Sequence, residues 1–417
     1  MFDLFSISLI GVAQSVFSYM FVMLVWILYM LVKKLGLANV YNRDQSRTTF
    51  ASMIELAMHG TIAGFILSLV LILIGIPITM SPYLLLLIPI SLILGMGNIR
   101  YLCMSYSMGV LGLMAMIFNG QNLGSVTLPN IDIEVSGLIA LAGALHVIEG
   151  VLVALYGDRD AIPIVSKKGD QILLGHIIQR YWPIPFAALI ATTGAFTGGT
   201  VEMPNWWPFI GQSSFIVDSM IFMPLSMLGI LGYSTVTFVQ SPKKRVVGSG
   251  IGISIYGIVL IGLGLISQNN MVLEIIGIVS MVGLHELIIA VELFYENNTE
   301  PIYPLPEKGI RIMHVNEGSI AEYMGLVKGD LIENINGIEV VNLRHFKAIM
   351  KQKYNAIKIQ VVDITSRSKE LNYTSTKKTI EALGIKLIPE NPVVLFKASN
   401  MMKIGMIHLM RNRNMKK

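Results

Sequence analysis

The stretch Gly309-Ile310-Arg311-Ile312-Met313-His314-Val315, followed by Asn316-Glu317-Gly318 and by Ser319-Ile320-Ala321-Glu322-Tyr323-Met324-Gly325-Leu326, divides the chain into two solvents. Apolar and polar residues alternate along its first part, the period-two pattern of a half-buried strand. Asn316-Glu317-Gly318 turns, and Ser319 to Leu326 reads as a capped helical turn that glycine ends. Lys328-Gly329-Asp330 leads into a strand from Leu331 to Ile335, and Asn336-Gly337 is a hairpin turn. Asn342 caps a helix of about ten residues. Strands are predicted at 357–364 and 370–376, with a last one over Leu383-Gly384-Ile385-Lys386-Leu387-Ile388. This part folds in water.

Upstream of Pro301 the composition changes. The 417 residues are 53% hydrophobic and 14% charged, with mean hydropathy +0.65, whereas a globular domain is about a quarter charged. A wholly soluble enzyme is thereby excluded. Apolar stretches of about twenty residues, in place of short alternating ones, exclude an outer-membrane barrel. Nine spans are predicted, at 6–32, 55–77, 82–98, 101–118, 136–156, 183–200, 209–238, 248–267 and 271–294. The chain is thus predicted to be a polytopic α-helical membrane protein, with a membrane domain at 1–300, a C-terminal α/β domain at 303–392 and a basic tail at 393–417. The first apolar stretch has no basic leader and no small-residue cleavage site, so it reads as a span and not as a signal peptide.

Cations orient the spans, because cytoplasmic loops retain Lys and Arg. Before Pro301 they fall in alternate gaps: Lys33, Lys34, Arg43 and Arg47; Arg100; Arg159, Lys167, Lys168 and Arg180; Lys243, Lys244 and Arg245. The other gaps carry Asp132, Glu134 and Glu202. This partition predicts an N-terminus outside and a C-terminal domain inside. From Pro301 onward 19 Lys and Arg stand against 10 Asp and Glu. The tail alone holds Lys397, Lys403, His408, Arg411, Arg413, Lys416 and Lys417 among apolar residues, a pattern that suits anionic lipid or a partner helix as well as a solubilising tail.

Two spans end alike. Ala144-Leu145-His146 runs to Tyr156 and Pro163-Ile164, and Gly283-Leu284-His285 runs to Tyr295 and Pro301-Ile302. The likeness suggests a four-span unit used twice in parallel, at about 50–165 and 180–302. Intramembrane ionisable groups mark function or satisfied packing; here they are Glu55, His59, His146, Glu149, Asp218, His285, Glu286 and Glu292. His146 and Glu149 stand one turn apart and can pair. Catalysis is not expected: Ile289 occupies the place where an HExxH metalloprotease needs its second histidine after His285-Glu286, and GxSxG and Walker motifs are missing. The lone Cys103 forms no intrachain disulfide, and with no CxxC or Cys/His spacing neither metal nor cofactor is expected.

The run from Gly309 to Val340, with Ser319, Ala321, Gly325-Leu326, Gly329-Asp330, Ile332, Asn336 and Gly337, resembles the core of a PDZ domain. Too few residues precede Gly309 to hold that family's carboxylate-binding loop, but Leu383-Gly384-Ile385 fits it, as in the circularly permuted bacterial form. The resemblance implies a peptide groove between Ile385-Lys386-Leu387-Ile388 and the helix with His345, Phe346 and Ile349, with the carboxylate received near Gly384. On this reading Gly384→Val spares the fold and weakens binding. The order of parts, many spans and then a C-terminal PDZ domain, resembles the MinJ-like membrane proteins of Gram-positive rod-shaped bacteria. That resemblance implies a non-enzymatic plasma-membrane adaptor at septa and poles, joining DivIVA, MinD and the division machinery. A PDZ-bearing regulator of a membrane protease or secretion system and a transporter with a regulatory PDZ domain are the alternatives. Lipids and protein partners are expected and nucleic acid is not; homo-oligomerisation stays open.

Overall fold

The structure, a computed structural model, describes residues 2–35, 49–79, 81–118, 120, 122–123, 126–127, 129–168, 171–193, 203, 207–208, 220–302, 308–352, 354–363, 365, 367–374, 383–387 and 396–397. The membrane body opens with helices α1 (Phe2–Val16) and α2 (Tyr19–Leu35), then α3 (Thr49–Ile74) and the short strand β1 (Pro77–Thr79). Helices α4 (Leu87–Gly97) and α5 (Met104–Ile117) follow, then the small ladder of β2 (Asn122–Leu123) with β3 (Val126–Thr127), and α6 (Val135–Tyr156). Strands β4 (Ile162–Lys168), β5 (Gln171–Thr193) and β6 (Met220–Thr237) lead to α7 (Pro242–Ile266) and α8 (Met271–Asn298).

Among the described residues, four helices are long and apolar enough to cross a membrane: α3, α6, α7 and α8. The pair α1 and α2, bent by 59° at its break, makes a fifth if counted as one span. The nine-span expectation is corrected accordingly. Stretches 82–98 and 101–118 form short helices, the first starting in a 3-10 turn at Pro82 and the two separated by a break at Asn98. The described parts of 183–200 and 209–238 are strands. The physical reason lies in the prolines: Pro183 and Pro185 would each break a helix interior, while isoleucine, tyrosine and tryptophan around them favour an extended chain. The two predicted copies therefore differ at their starts, α3 in one and β5 with β6 in the other. They keep only a closing pair of helices, α5 with α6 and α7 with α8.

An antiparallel strand points N–H and C=O of alternate residues to opposite edges. One edge of β5 pairs along its length with β6, from His176 opposite Thr237 to Thr193 opposite Met220. The other edge meets β4 near its start and β1 near its end. Between them it meets helix α3, where Gly60 and Gly64 pack directly on the carbonyls of Pro183 and Pro185. One turn on, Ser68 Oγ accepts the Ala187 N–H at 2.8 Å. Proline has no N–H to leave unsatisfied, so this edge needs no partner strand. Backbone of this kind is tolerated at membrane depth only when enclosed by protein, and β5 is buried from Leu173 to Ala191 except for the half-buried Gln179. Helix α1 covers the hairpin as well, with Ser226 Oγ donating to the Gly11 carbonyl at 2.8 Å.

Helices α6 and α7 pack antiparallel on glycine ridges. Gly143 faces Gly257 and Gly150 faces Gly250, so that a Cβ on any of the four would lie 2.4–2.6 Å from a carbonyl oxygen opposite. Small residues let helix backbones approach this closely in membranes.

Charges sort to the ends of these helices. At one end Arg159 pairs with Glu55, Arg180 with Asp160 at 3.1 Å, Lys243 with Asp158 at 3.6 Å and Arg245 with Glu292 at 2.8 Å. At the other, Glu134 caps α6 and Glu274 sits in the first turn of α8. Arg100 departs from the expected loop position. It pairs at 3.3 Å with Glu286, six residues and so about 9 Å further into α8 than Glu292.

The C-terminal domain has strands β7 (Ile310–Val315), β8 (Leu331–Ile335), β9 (Ile338–Glu339), β10 (Ala356–Val362), β11 (Ser368–Thr374) and β12 (Ile385–Leu387), with helices α9 (Ile320–Met324) and α10 (Leu343–Met350). The sheet order is β11-β10-β8-β7-β12, with β9 on β8. Asn336 and Gly337 both have positive φ, as the tight β8–β9 turn requires. The core comprises Ile312, Ala321, Leu326, Ile332, Ile335, Val340, Phe346 and their neighbours. Beyond it, β13 (Phe396–Lys397) pairs in parallel with β4, so this part of the tail joins the sheet of the membrane body; the rest of the tail lies outside the described residues.

Candidate functional site

Strand β12 ends its sheet. Ile385 pairs with Val315, Lys386 with His314 and Leu387 with Ile312, all on β7, and no described strand pairs with its opposite edge. An unpaired edge offers backbone donors and acceptors to an added strand. The turn before it is fixed from beneath: the Leu383 carbonyl accepts the Ala321 N–H and the Gly384 carbonyl accepts the Asn316 N–H, each at 2.9 Å. Leu383 is buried in the core, and Gly384 adopts φ +77°. The helix beneath is held at both ends. Ser319 Oγ accepts the Glu322 N–H, and Gly325 ends the helix in the left-handed conformation at φ +83°.

The predicted groove residues divide. Ile385 and Leu387 are partly buried against the core, and nothing is described of Ile388. On α10, whose cap is Asn342 Oδ1 accepting the His345 N–H at 2.9 Å, Phe346 and Ile349 are 7% and 2% exposed. Those two are core residues, which leaves His345 as the part-exposed member of that set. Gly384 also differs from expectation. A Cβ there would lie 2.3 Å from Ser319 Cβ, on a backbone conformation that L side chains rarely adopt. Gly384→Val should therefore destabilise the domain by about 2 kcal/mol or more, and chemical denaturation of the domain signal should show a lower midpoint.

The domain is fastened to the membrane body. The Ile302 N–H donates to the Phe238 carbonyl at 3.0 Å, just beyond α8. Lys328, in the turn before β8, reaches His176 of β5, and burial lowers its ammonium to about 8. Next to it Asp330 is buried, which raises its carboxyl, while the Val327 N–H donated to it at 3.0 Å opposes that shift. The domain is thus held at the cationic end of the helices.

A PDZ domain family model matches residues 295–362. The match begins in the last turn of α8 and ends with β10, so the Leu383-Gly384 turn and β12 lie beyond it. A comparison with curated proteins brings no match to the chain. A PDZ domain implies protein partners and a scaffolding role in general.

The intramembrane ionisable groups are mostly satisfied locally. His59 stacks on Tyr156 at 4.0 Å, and Glu55 and Glu292 take the arginine partners already described. His146 and Glu149 do approach, at 3.5 Å. Asp218 lies outside the described residues.

Proposed function

We propose that the chain is a non-catalytic membrane adaptor whose PDZ domain takes the C-terminal segment of a protein partner as an added strand on β12. The observation that carries this reading is the edge of β12, behind the Leu383-Gly384 turn, that no described strand pairs, in a domain bonded to the end of a helical membrane body. Backbone hydrogen bonds would supply affinity, and N–H groups beside Gly384 would receive the carboxylate. The orientation we favour has the N-terminus outside and the cationic end, with the PDZ domain, in the cytoplasm. In its most specific form the adaptor is MinJ-like, serving cell division or polarity at the septum and poles of a Gram-positive bacterium.

Two measurements test it. Full-length protein in detergent micelles should capture peptides with a free C-terminal carboxylate from an array. Amidation should weaken binding roughly 10–100-fold, the equivalent of charged hydrogen bonds worth about 1.5–3 kcal/mol, and His345→Ala should weaken it without lowering the unfolding midpoint. Binding that ignores amidation would exclude carboxylate capture. A fluorescent fusion should concentrate at septa and poles; uniform membrane signal would remove the division role while leaving the adaptor.

A further inference from the structure

Three side chains that sequence spacing keeps apart meet inside the membrane body. Cys103 stands immediately before α5, His146 on α6 and His285 on α8. The cysteine sulfur and one ring nitrogen from each histidine all lie within 4.8 Å of one another. Cys103 Sγ is 3.1 Å from His146 Nε2, and the two imidazoles meet edge to face with centroids 5.8 Å apart. We propose that Cys103, His146 and His285 bind a divalent transition-metal ion of the zinc class.

The surroundings prepare both rings as ligands. A ligating histidine usually donates its second ring N–H to a carbonyl or similar acceptor, which fixes the tautomer. His146 Nδ1 lies 2.7 Å from the Ala142 carbonyl, which can only accept, so Nδ1 carries the proton and Nε2 keeps its lone pair. Tyr106 does the same for His285 by a relay. Its hydroxyl donates to Glu286 at 2.7 Å, so the phenolic oxygen accepts from His285 Nδ1 at 3.0 Å. Nε2 of His285 is left free. Arg100, 3.3 Å from Glu286, holds the relay's outer end.

Charge fits a divalent ion. An ion in apolar surroundings must be neutralised locally. A Cys103 thiolate and the buried Glu149 carboxylate, whose Oε2 is 3.5 Å from His146 Nε2, together supply two negative charges. Thiolate with imidazole selects zinc over magnesium or calcium, which want oxygen ligands. Tetrahedral zinc, with Zn–S about 2.3 Å and Zn–N about 2.0–2.1 Å, needs ligand separations of about 3.3–3.6 Å, so side-chain adjustments of about 1 Å complete the site. The ion would tie α6 and α8 to the turn before α5.

The test uses the full-length protein purified in detergent and equilibrated with zinc, then washed. About one zinc per chain is expected, with an X-ray absorption shell of one sulfur near about 2.3 Å and nitrogen or oxygen near about 2.0–2.1 Å. Cobalt(II) in place of zinc should give a thiolate-to-cobalt charge-transfer band, lost in Cys103→Ser, and the visible bands should change in His146→Gln and in His285→Gln. Protein that retains no zinc would overturn the proposal. So would a wild-type zinc shell without sulfur, a measurement that holds even if the variants fail to accumulate.

Discussion

Gly150→Val should remove most of the folded protein from the membrane. A Cβ at Gly150 would lie 2.2 Å from Ser254 Oγ, 2.4 Å from the Gly250 carbonyl oxygen and 2.6 Å from Ser254 N. The serine hydroxyl can rotate away, but two of these contacts are backbone of the facing helix. Relief therefore requires α6 and α7 to separate as rigid bodies, which opens the Gly143–Gly257 contact too. Overpacking a well-filled interior costs about 1–3 kcal/mol where side chains can yield; here they cannot, and a loss above about 4 kcal/mol is expected. Gly252→Val supplies the control. Gly252 lies on the same helix two residues from Gly250, yet nothing stands within 4 Å of its would-be Cβ. Thermal unfolding of fluorescent fusions in detergent should show Gly252→Val close to wild type and Gly150→Val largely aggregated. Similar behaviour of the two variants would mean that the glycine ridge is not the seat of this packing.

What could be read from the sequence depended on how local its cause is. The turn chemistry of the PDZ domain was legible because each device acts within a few residues: Ser319 over Glu322, Gly325 at the helix end, Asn336-Gly337 in the hairpin. Hydropathy located the long helices for the same reason. It misled at 183–200 and 209–238 because the apolar content of a span and that of a buried hairpin are alike; Pro183 and Pro185 were the signal that should have decided against helix. The groove was only partly legible. Helical spacing put His345, Phe346 and Ile349 on one element, but which of them the core absorbs depends on contacts from distant strands. The Cys103, His146 and His285 cluster could not be found by motif spacing, since its members come from two separate helices and the turn before a third. The repeated His146 and His285 context was the one trace of it, and the structure turns the two rings toward each other.

The prolines of β5 yield the last and least intuitive expectation. Proline ordinarily weakens a central strand by removing a ladder donor, so Pro185→Ala would be expected to stabilise. Here the edge at Pro185 faces α3, where Gly64 packs on the Pro185 carbonyl and brings no acceptor. Alanine would place a new N–H against that glycine, buried and unpaired, at a cost of about 1–3 kcal/mol. Ala187 shows how a donor on this edge has to be met, through Ser68 Oγ at 2.8 Å. Pro183→Ala should behave in the same way against Gly60. The helix side of the contact is less forgiving still. A Cβ at Gly64 would lie 2.0 Å from the Pro185 carbonyl oxygen and 2.9 Å from its carbon, both of them backbone. Gly64→Val should thus prevent α3 from seating and lose the fold, whereas Pro185→Ala should lower the unfolding midpoint while leaving the protein assembled. Combining Pro183→Ala with Pro185→Ala should destabilise more than either change alone, without strict additivity, because the two neighbours share the α3 contact. A rise in stability for either alanine variant would show that the edge of β5 does not face α3 in the membrane.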